Sequence, residues 1–359
     1  MIKKLHYLLK FNFEKKHSSL TNKNSGFTLI ELLVAMILAA LIITPLLGFM
    51  INILDTDRKE QAKVSSEQEI QTALDYIAQD LQQSIYIYDA KGIKAIKNKL
   101  PYNSNTDRVP VLVFWKRQFK QEAIGGDFTG RNDSFVYSLV AYYLIQSNTT
   151  NNRDKIWSQQ FRIARFELKD GVRNLDDPFD SNGNINYVRD KDNELQEPDK
   201  GFALFELNNP TITGTLEEKM NSWKKDKTSN NSTYNLNNTR VLVDYVDASQ
   251  DSVPDHVECD TVFDLDKYPS DKQTDKEKAL KVPAFENTYS YSTSSNLKKL
   301  GNSSFYACVD VDTVSAKIFL RGNALARINQ KDNSYKENRK SYFPTSSVLV
   351  KGRGLIGVE

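Results

Sequence analysis

Hydrophobic positions are distributed unevenly along this chain. From Phe27 to Leu54 it reads FTLIELLVAMILAALIITPLLGFMINIL, an almost unbroken apolar run. At 1.5 Å of rise per helical residue, a run of this length spans a hydrocarbon core of roughly 30 Å. Beyond Leu54 the chain turns polar, yet Ile70, Leu74, Ile77, Leu81 and Ile85 recur at helical spacing, with Ala73 and Ala78 beside them. No proline or glycine lies between Asn52 and Ala90. The pattern predicts one helix of about 60 residues, close to 90 Å long, whose later half lays its apolar stripe on a sheet. The stripe is too short to favour a coiled-coil partner over core packing.

After Gly92 the texture becomes that of β-structure. Candidate strands are 109–115, 134–146, 161–169, 201–207, 240–246, 304–311 and 315–321, several alternating apolar and polar residues as in Phe161-Arg-Ile-Ala-Arg-Phe-Glu-Leu. Polar stretches at 147–155, 170–200, 221–239 and 265–302 read as surface loops. A helix followed by strands gives an α+β class, with the long N-terminal helix packed on a mostly antiparallel head. The expected organisation is a basic segment 1–26, a transmembrane half-helix 27–54, a second half-helix 55–90 and a β-rich head 91–359.

Charge refines this picture. Of 48 basic and 46 acidic residues, six lysines and one glutamate fall in residues 1–26, leaving the remainder at a net charge of about −3. A slightly acidic head has no footprint for phosphate backbones, so no nucleic-acid partner is expected. Lysines before the apolar run, with Asp55 and Asp57 after it, place the N-terminus in the cytoplasm and send the head across the membrane. A secretory signal peptide fits poorly, because the run is too long and no small-x-small cleavage site follows. The two cysteines, Cys259 and Cys308, have no zinc-type spacing. In an exported domain they are candidates for a disulfide closing a loop made mostly of 265–302.

Glu31 does not belong among its leucines and isoleucines. A charge at a bilayer centre costs about 2.5–3.5 kcal/mol and less near an interface, so it normally has a partner. Cleavage after Gly26 would create one, the α-amino group of Phe27. Ser25-Gly26-Phe27-Thr28-Leu29-Ile30-Glu31, followed by Leu32-Leu33-Val34-Ala35, closely resembles the class III signal of type IV prepilins and type II secretion pseudopilins. The resemblance implies that a prepilin peptidase cuts between Gly26 and Phe27 and N-methylates Phe27. It also implies that Glu31 pairs with the N-terminal amine of a neighbouring subunit during assembly, with other pilins and an inner-membrane assembly platform as partners. The presence of Glu31 argues against the tip-most subunit type, which commonly lacks this acid. The leader is longer than is usual in the family. Pro45 precedes Gly48, the position at which many members place their helix-breaking proline, and it removes a backbone donor from the helix. Toward the C-terminus, Phe305-Tyr-Ala-Cys-Val-Asp and Ile318-Phe-Leu-Arg-Gly-Asn-Ala-Leu-Ala-Arg resemble cyanobacterial pseudopilins of hormogonium polysaccharide secretion.

Catalytic candidates are few. His256 is the histidine that remains after removal of the leader, and no nucleophile elbow or phosphate-binding glycine loop occurs. Asp176, Asp177, Asp180, Asn182, Asn184 and Asn186 offer hard oxygens of the kind calcium uses, but their spacing fails the EF-hand pattern. A solvated acidic loop is therefore the expectation, with no cofactor. The leading functional expectation is a non-enzymatic minor pseudopilin of a secretion or type IV pilus-like filament, serving secretion (of polysaccharide in the finer reading) or gliding motility. The alternative is a membrane-anchored protein that never polymerises and whose head binds a sugar or DNA.

Overall fold

The structure is a computed structural model describing residues 26–124, 132–148, 155–174, 177–189, 193–226, 234–329 and 331–354. The chain divides into two compact units between Thr56 and Asp57. Helix α1, Leu29–Leu81, runs through the boundary and contains Pro45 without interruption. The hydroxyl of Thr44 donates to the Ala40 carbonyl at 2.7 Å, a side-chain bond typical of hydroxyl residues within helices. In the first unit every apolar side chain of the helix is exposed, and the helix is long and apolar enough to cross a membrane.

Within the second unit α1 becomes one-sided. Ala62, Ser66, Ile70, Ala73, Leu74, Ile77, Ala78 and Leu81 are buried, a stripe recurring every three or four residues. Full burial of Leu74, Ile77 and Leu81 stabilises by about 1.5–3 kcal/mol each. The helix stops at Leu81, short of the expected end at Ala90. Ile85 continues the helical phase but lies instead in strand β1, Ser84–Tyr88, where Ser-Ile-Tyr-Ile-Tyr favours extended backbone. Asp89 then caps the short helix α2, Ala90–Ile96, accepting from the Gly92 amide at 2.8 Å.

Strands β2 (Arg108–Ile124), β3 (Asn132–Gln146), β4 (Phe161–Lys169) and β5 (Thr239–Val246) follow β1 in an antiparallel five-stranded sheet of order β1-β2-β3-β4-β5. Between β4 and β5 lies helix α3, Leu216–Asn221. Residues 201–207 do not form the expected strand. Phe202 and Phe205 turn their rings edge-on to Trp115 of β2, at 5.9 and 5.1 Å between centroids, and the Ala203 carbonyl accepts from the Trp223 indole at 2.8 Å. The segment thus covers a sheet face through its side chains, and its backbone joins no ladder.

Residues 265–302 are more than the expected surface loop. They contain α4 (Ser270–Leu280), β6 (Lys281–Val282) and α5 (Ser295–Lys298), and they bury Leu280, Val282, Ala284, Tyr291, Leu297 and Leu300. Strands β7 (Phe305–Asp310), β8 (Ser315–Arg321) and β9 (Thr345–Lys351) complete a second antiparallel sheet of order β6-β7-β8-β9. β9 was not among the expected strands. The two sheets meet where Val246 bridges Gly322 and where Arg321 donates to the buried Asp247 carboxylate at 2.9 Å.

Two contacts seat α1 on this assembly. A Cβ on Gly322 would come within 2.2 Å of Ile70 Cδ1, so a side chain there would force Ile70 to move and loosen the close approach of the helix. At the other contact, Asp80 sits buried among β2, β3 and β4. Lys116 Nζ lies 2.8 Å from one of its oxygens, and Arg165 Nε and the Tyr142 hydroxyl donate to the other at 2.7 and 2.8 Å. Glu167 joins them, 3.0 Å from Lys116 and 2.9 Å from Arg165. Burial opposes ionisation of both carboxyls, but Arg165 and Lys116 outweigh it, and Glu167 is held at about 2. The stability they contribute is present above the ordinary carboxyl range and is lost as pH falls through the lowered values.

Asp80→Ala leaves Arg165 and Lys116 without their main counter-charge. Urea unfolding should show a loss of about 3–5 kcal/mol. A loss under about 1 kcal/mol would show that the network does not hold the helix. Asp89 has the opposite sign. Burial pushes its carboxyl up to about 7, with Glu217 adding to the shift and Lys276 and Lys91 opposing it. Its charged form therefore weakens the fold progressively as pH rises from about 4 to 7, and uniformly above. Asp89→Asn keeps an equivalent cap and should stabilise at pH 8 by the order of 1–3 kcal/mol, the gain vanishing near pH 4. A pH-independent effect in parallel melts would refute this.

Candidate functional site

Among the described residues, the start of α1 has no tertiary neighbours. Gly26 has nothing within 4 Å of its Cβ direction, and Phe27 is 86% exposed. Together they present an unencumbered peptide bond. The helix then begins with a reciprocal cap that follows from the sequence Thr28-Leu29-Ile30-Glu31. Glu31 Oε2 accepts from the Thr28 amide at 3.2 Å and from its hydroxyl at 2.9 Å, while Thr28 Oγ1 accepts from the Glu31 amide at 3.4 Å. This is a capping box, and a glutamate in the first turn also suits the helix dipole. The T-x-x-E spacing was the available sequence signal for it. No bond engages Glu31 Oε1 among the described residues.

The remaining candidate residues belong to the second unit. Cys259 and Cys308 are joined by a disulfide between the 259–261 turn and β7, and their separation in sequence is 49. The link draws Val262, Phe263 and Leu265 onto Tyr306 and Phe319. Of the candidate calcium ligands, Asp176 lies outside the described residues. Asp180 accepts from the Asn182 and Asn184 amides, both at 2.8 Å, and from the Asn184 side chain at 2.9 Å, bonds that lower its pKa. Asp177 accepts from the Asn186 side chain at 3.3 Å. These oxygens stitch the loop to itself, and among the described residues no group of three or more His, Cys, Asp or Glu is arranged to hold a metal.

His256 is half-buried, 3.6 Å from Glu258 and edge-on to Tyr306, and burial lowers its pKa with Lys281 adding to the effect. No serine or cysteine nucleophile accompanies it in the contacts described.

Residues 21–47 match the family model of the prokaryotic N-terminal methylation motif. The chain carries a class III prepilin signal. This motif implies processing by prepilin peptidase and assembly with other pilins, as for a prepilin-peptidase substrate of the type IV pilin and pseudopilin type. A long N-terminal helix followed by antiparallel sheets fits a pilin-like fold, and the apolar helix with this signal fits a membrane-anchored protein. No curated protein and no solved structure matches the chain.

The disulfide yields a test within the head. Its loop length corresponds to about 4 kcal/mol in the chain-entropy account. Non-reducing peptide mapping should recover Cys259 linked to Cys308, and reduction should lower the melting temperature. Full alkylation of both thiols without reductant would count against the link.

Proposed function

We propose that this chain is a minor pseudopilin, a non-enzymatic subunit built by α1 into a membrane-anchored filament of the type II secretion or type IV pilus kind. Its N-terminus faces the cytoplasm before cleavage, and its head lies outside the cytoplasm. Prepilin peptidase cuts after Gly26 and methylates Phe27, and the assembly platform then draws the subunit in beside other pilins. The filament supports secretion or gliding, with polysaccharide export as the finer reading. The observation that carries this proposal is Glu31, a carboxylate in an exposed apolar helix within the methylation motif. In a filament interior, a neighbour's Phe27 amine supplies its counter-charge.

The capping box dictates how this must be tested, because loss of Glu31 also removes a cap. Glu31→Gln keeps a capping side chain and loses the charge, whereas Thr28→Ala weakens the cap by about 1 kcal/mol and keeps the charge. Mass spectrometry of the mature protein should find N-methylated Phe27 in both variants, and Gly26→Ala should be cut poorly. Thr28→Ala should enter filaments nearly normally. Incorporation of Glu31→Gln should fall at least about tenfold, as an uncompensated buried amine requires. Normal incorporation of Glu31→Gln would reduce Glu31 to a helix cap and remove the main support for a polymerising subunit.

A further inference from the structure

A cleft of about 590 Å³ opens in the head beside the disulfide. One wall is the segment 253–260, held against β7 by the Cys259–Cys308 link and by the Val257 amide, which donates to the Tyr306 hydroxyl at 2.8 Å. Lys281 of β6 also lines the cleft, with the Pro283 and Ala284 that follow. Buried Leu300 and Phe305 complete an apolar floor.

Three lysines line this cleft, of which Lys278 and Lys298 are exposed and Lys281 is the more buried. Lys281 is half-buried with its Nζ 5.8 Å from the centroid of the Tyr306 ring, and among the described residues no ion pair or hydrogen bond engages its ammonium. Burial pushes its ammonium down to about 8, against the pull of Glu258 and Glu286. The carboxylates of Asp255, Glu258, Asp260, Glu277 and Glu286 all belong to exposed residues at the rim. None reaches Lys281, and Glu258 instead lies beside His256. A half-desolvated ammonium without a counter-ion is a costly arrangement that a ligand carboxylate relieves. The five exposed carboxylates outnumber the exposed Lys278 and Lys298, so the mouth of the cleft attracts a cationic group entering with that carboxylate.

We propose that the cleft binds a small zwitterion of the amino-acid or short-peptide class, with its carboxylate on Lys281 and its ammonium among the rim carboxylates. Lys281 is the orienting contact and the rim selects the opposite end. The apolar floor accommodates a backbone between them, and the volume lies within the range of small-ligand sites. Binding here is independent of filament assembly, since it uses only the head.

The test is calorimetric titration of the full-length detergent-solubilised chain with triglycine, triglycine amide and N-acetyltriglycine. Triglycine should bind saturably. The amide, lacking the carboxylate, and the acetylated form, lacking the ammonium, should each bind at least about tenfold more weakly. Lys281→Met should weaken triglycine as the amide does, and Lys281→Arg should retain it, both with unchanged near-ultraviolet circular dichroism. Absence of saturable triglycine binding would overturn the proposal, as would equal affinity for either blocked peptide. The peptide series uses the wild-type chain, so it decides the matter even if a Lys281 variant misfolds.

Discussion

A single carboxylate in the last turn of α1 fixes how the head is built. Asp80 lies where the helix dipole disfavours negative charge, and burial adds to that cost. Arg165 and Lys116 reverse the balance, each also bound to Glu167, and the more exposed Lys169 lies 3.6 Å from Glu167, so no carboxylate of the group lacks a cation. The net stabilisation of such a group over an apolar substitute is small, but breaking it is expensive. Its consequence is geometric. An apolar stripe can slide or rotate on a sheet at modest cost, whereas Asp80 has one place where three donors from β2, β3 and β4 converge. The helix is thereby held in one register on the first sheet.

The second sheet is placed by a different kind of constraint. Where Asp80 is an attraction, Gly322 is an absence, since any side chain there would meet Ile70. Next to it, Arg321 uses its guanidinium on Asp247 and on the Asn302 carbonyl at 2.8 Å, and Asn302 returns a bond to the Asp247 carbonyl. Asp247 begins the segment after β5, so this buried network joins the end of one sheet to the other. Polar groups buried this deeply are stable only if nearly all are satisfied, which makes their arrangement specific. Close packing of α1 and the joining of the two sheets therefore occur at adjacent positions, Arg321 and Gly322.

Much of this was legible in the sequence where one periodicity dominated. The stripe from Ile70 to Leu81 is regular, and the strands expected at 161–169 and 315–321 form with those bounds. The errors occur where periodicity is ambiguous or where apolar residues serve another purpose. Ile85 satisfies helical and extended patterns equally, and the β-branched and aromatic neighbours decide for β1. Phe202 and Phe205 look like strand positions but act as a cover over Trp115. The cleft around Lys281 could not be read at all. Its walls come from segments spread over residues 250–306, and what distinguishes Lys281 from other lysines is depth, which no local pattern encodes.

Under the filament reading, Glu31 carries a local role and an assembly role on one side chain. A carboxylate offers two oxygens and about four acceptor positions. The cap occupies Oε2 with both Thr28 donors, and no described contact occupies Oε1. In an apolar setting, those donors offset part of the cost of keeping the group charged, which a bare glutamate would bear alone. They also fix its rotamer near the helix start, close in sequence to the residue whose amine is released by cleavage. Under the filament reading, a neighbour's ammonium then meets a carboxylate that is already oriented and partly solvated by its own chain. Less ordering remains to be done at assembly, so the cap favours the intermolecular pair by preorganising it. Under that reading local capping and the intermolecular pair are compatible, because the cap is a condition under which a charge there can wait for its partner.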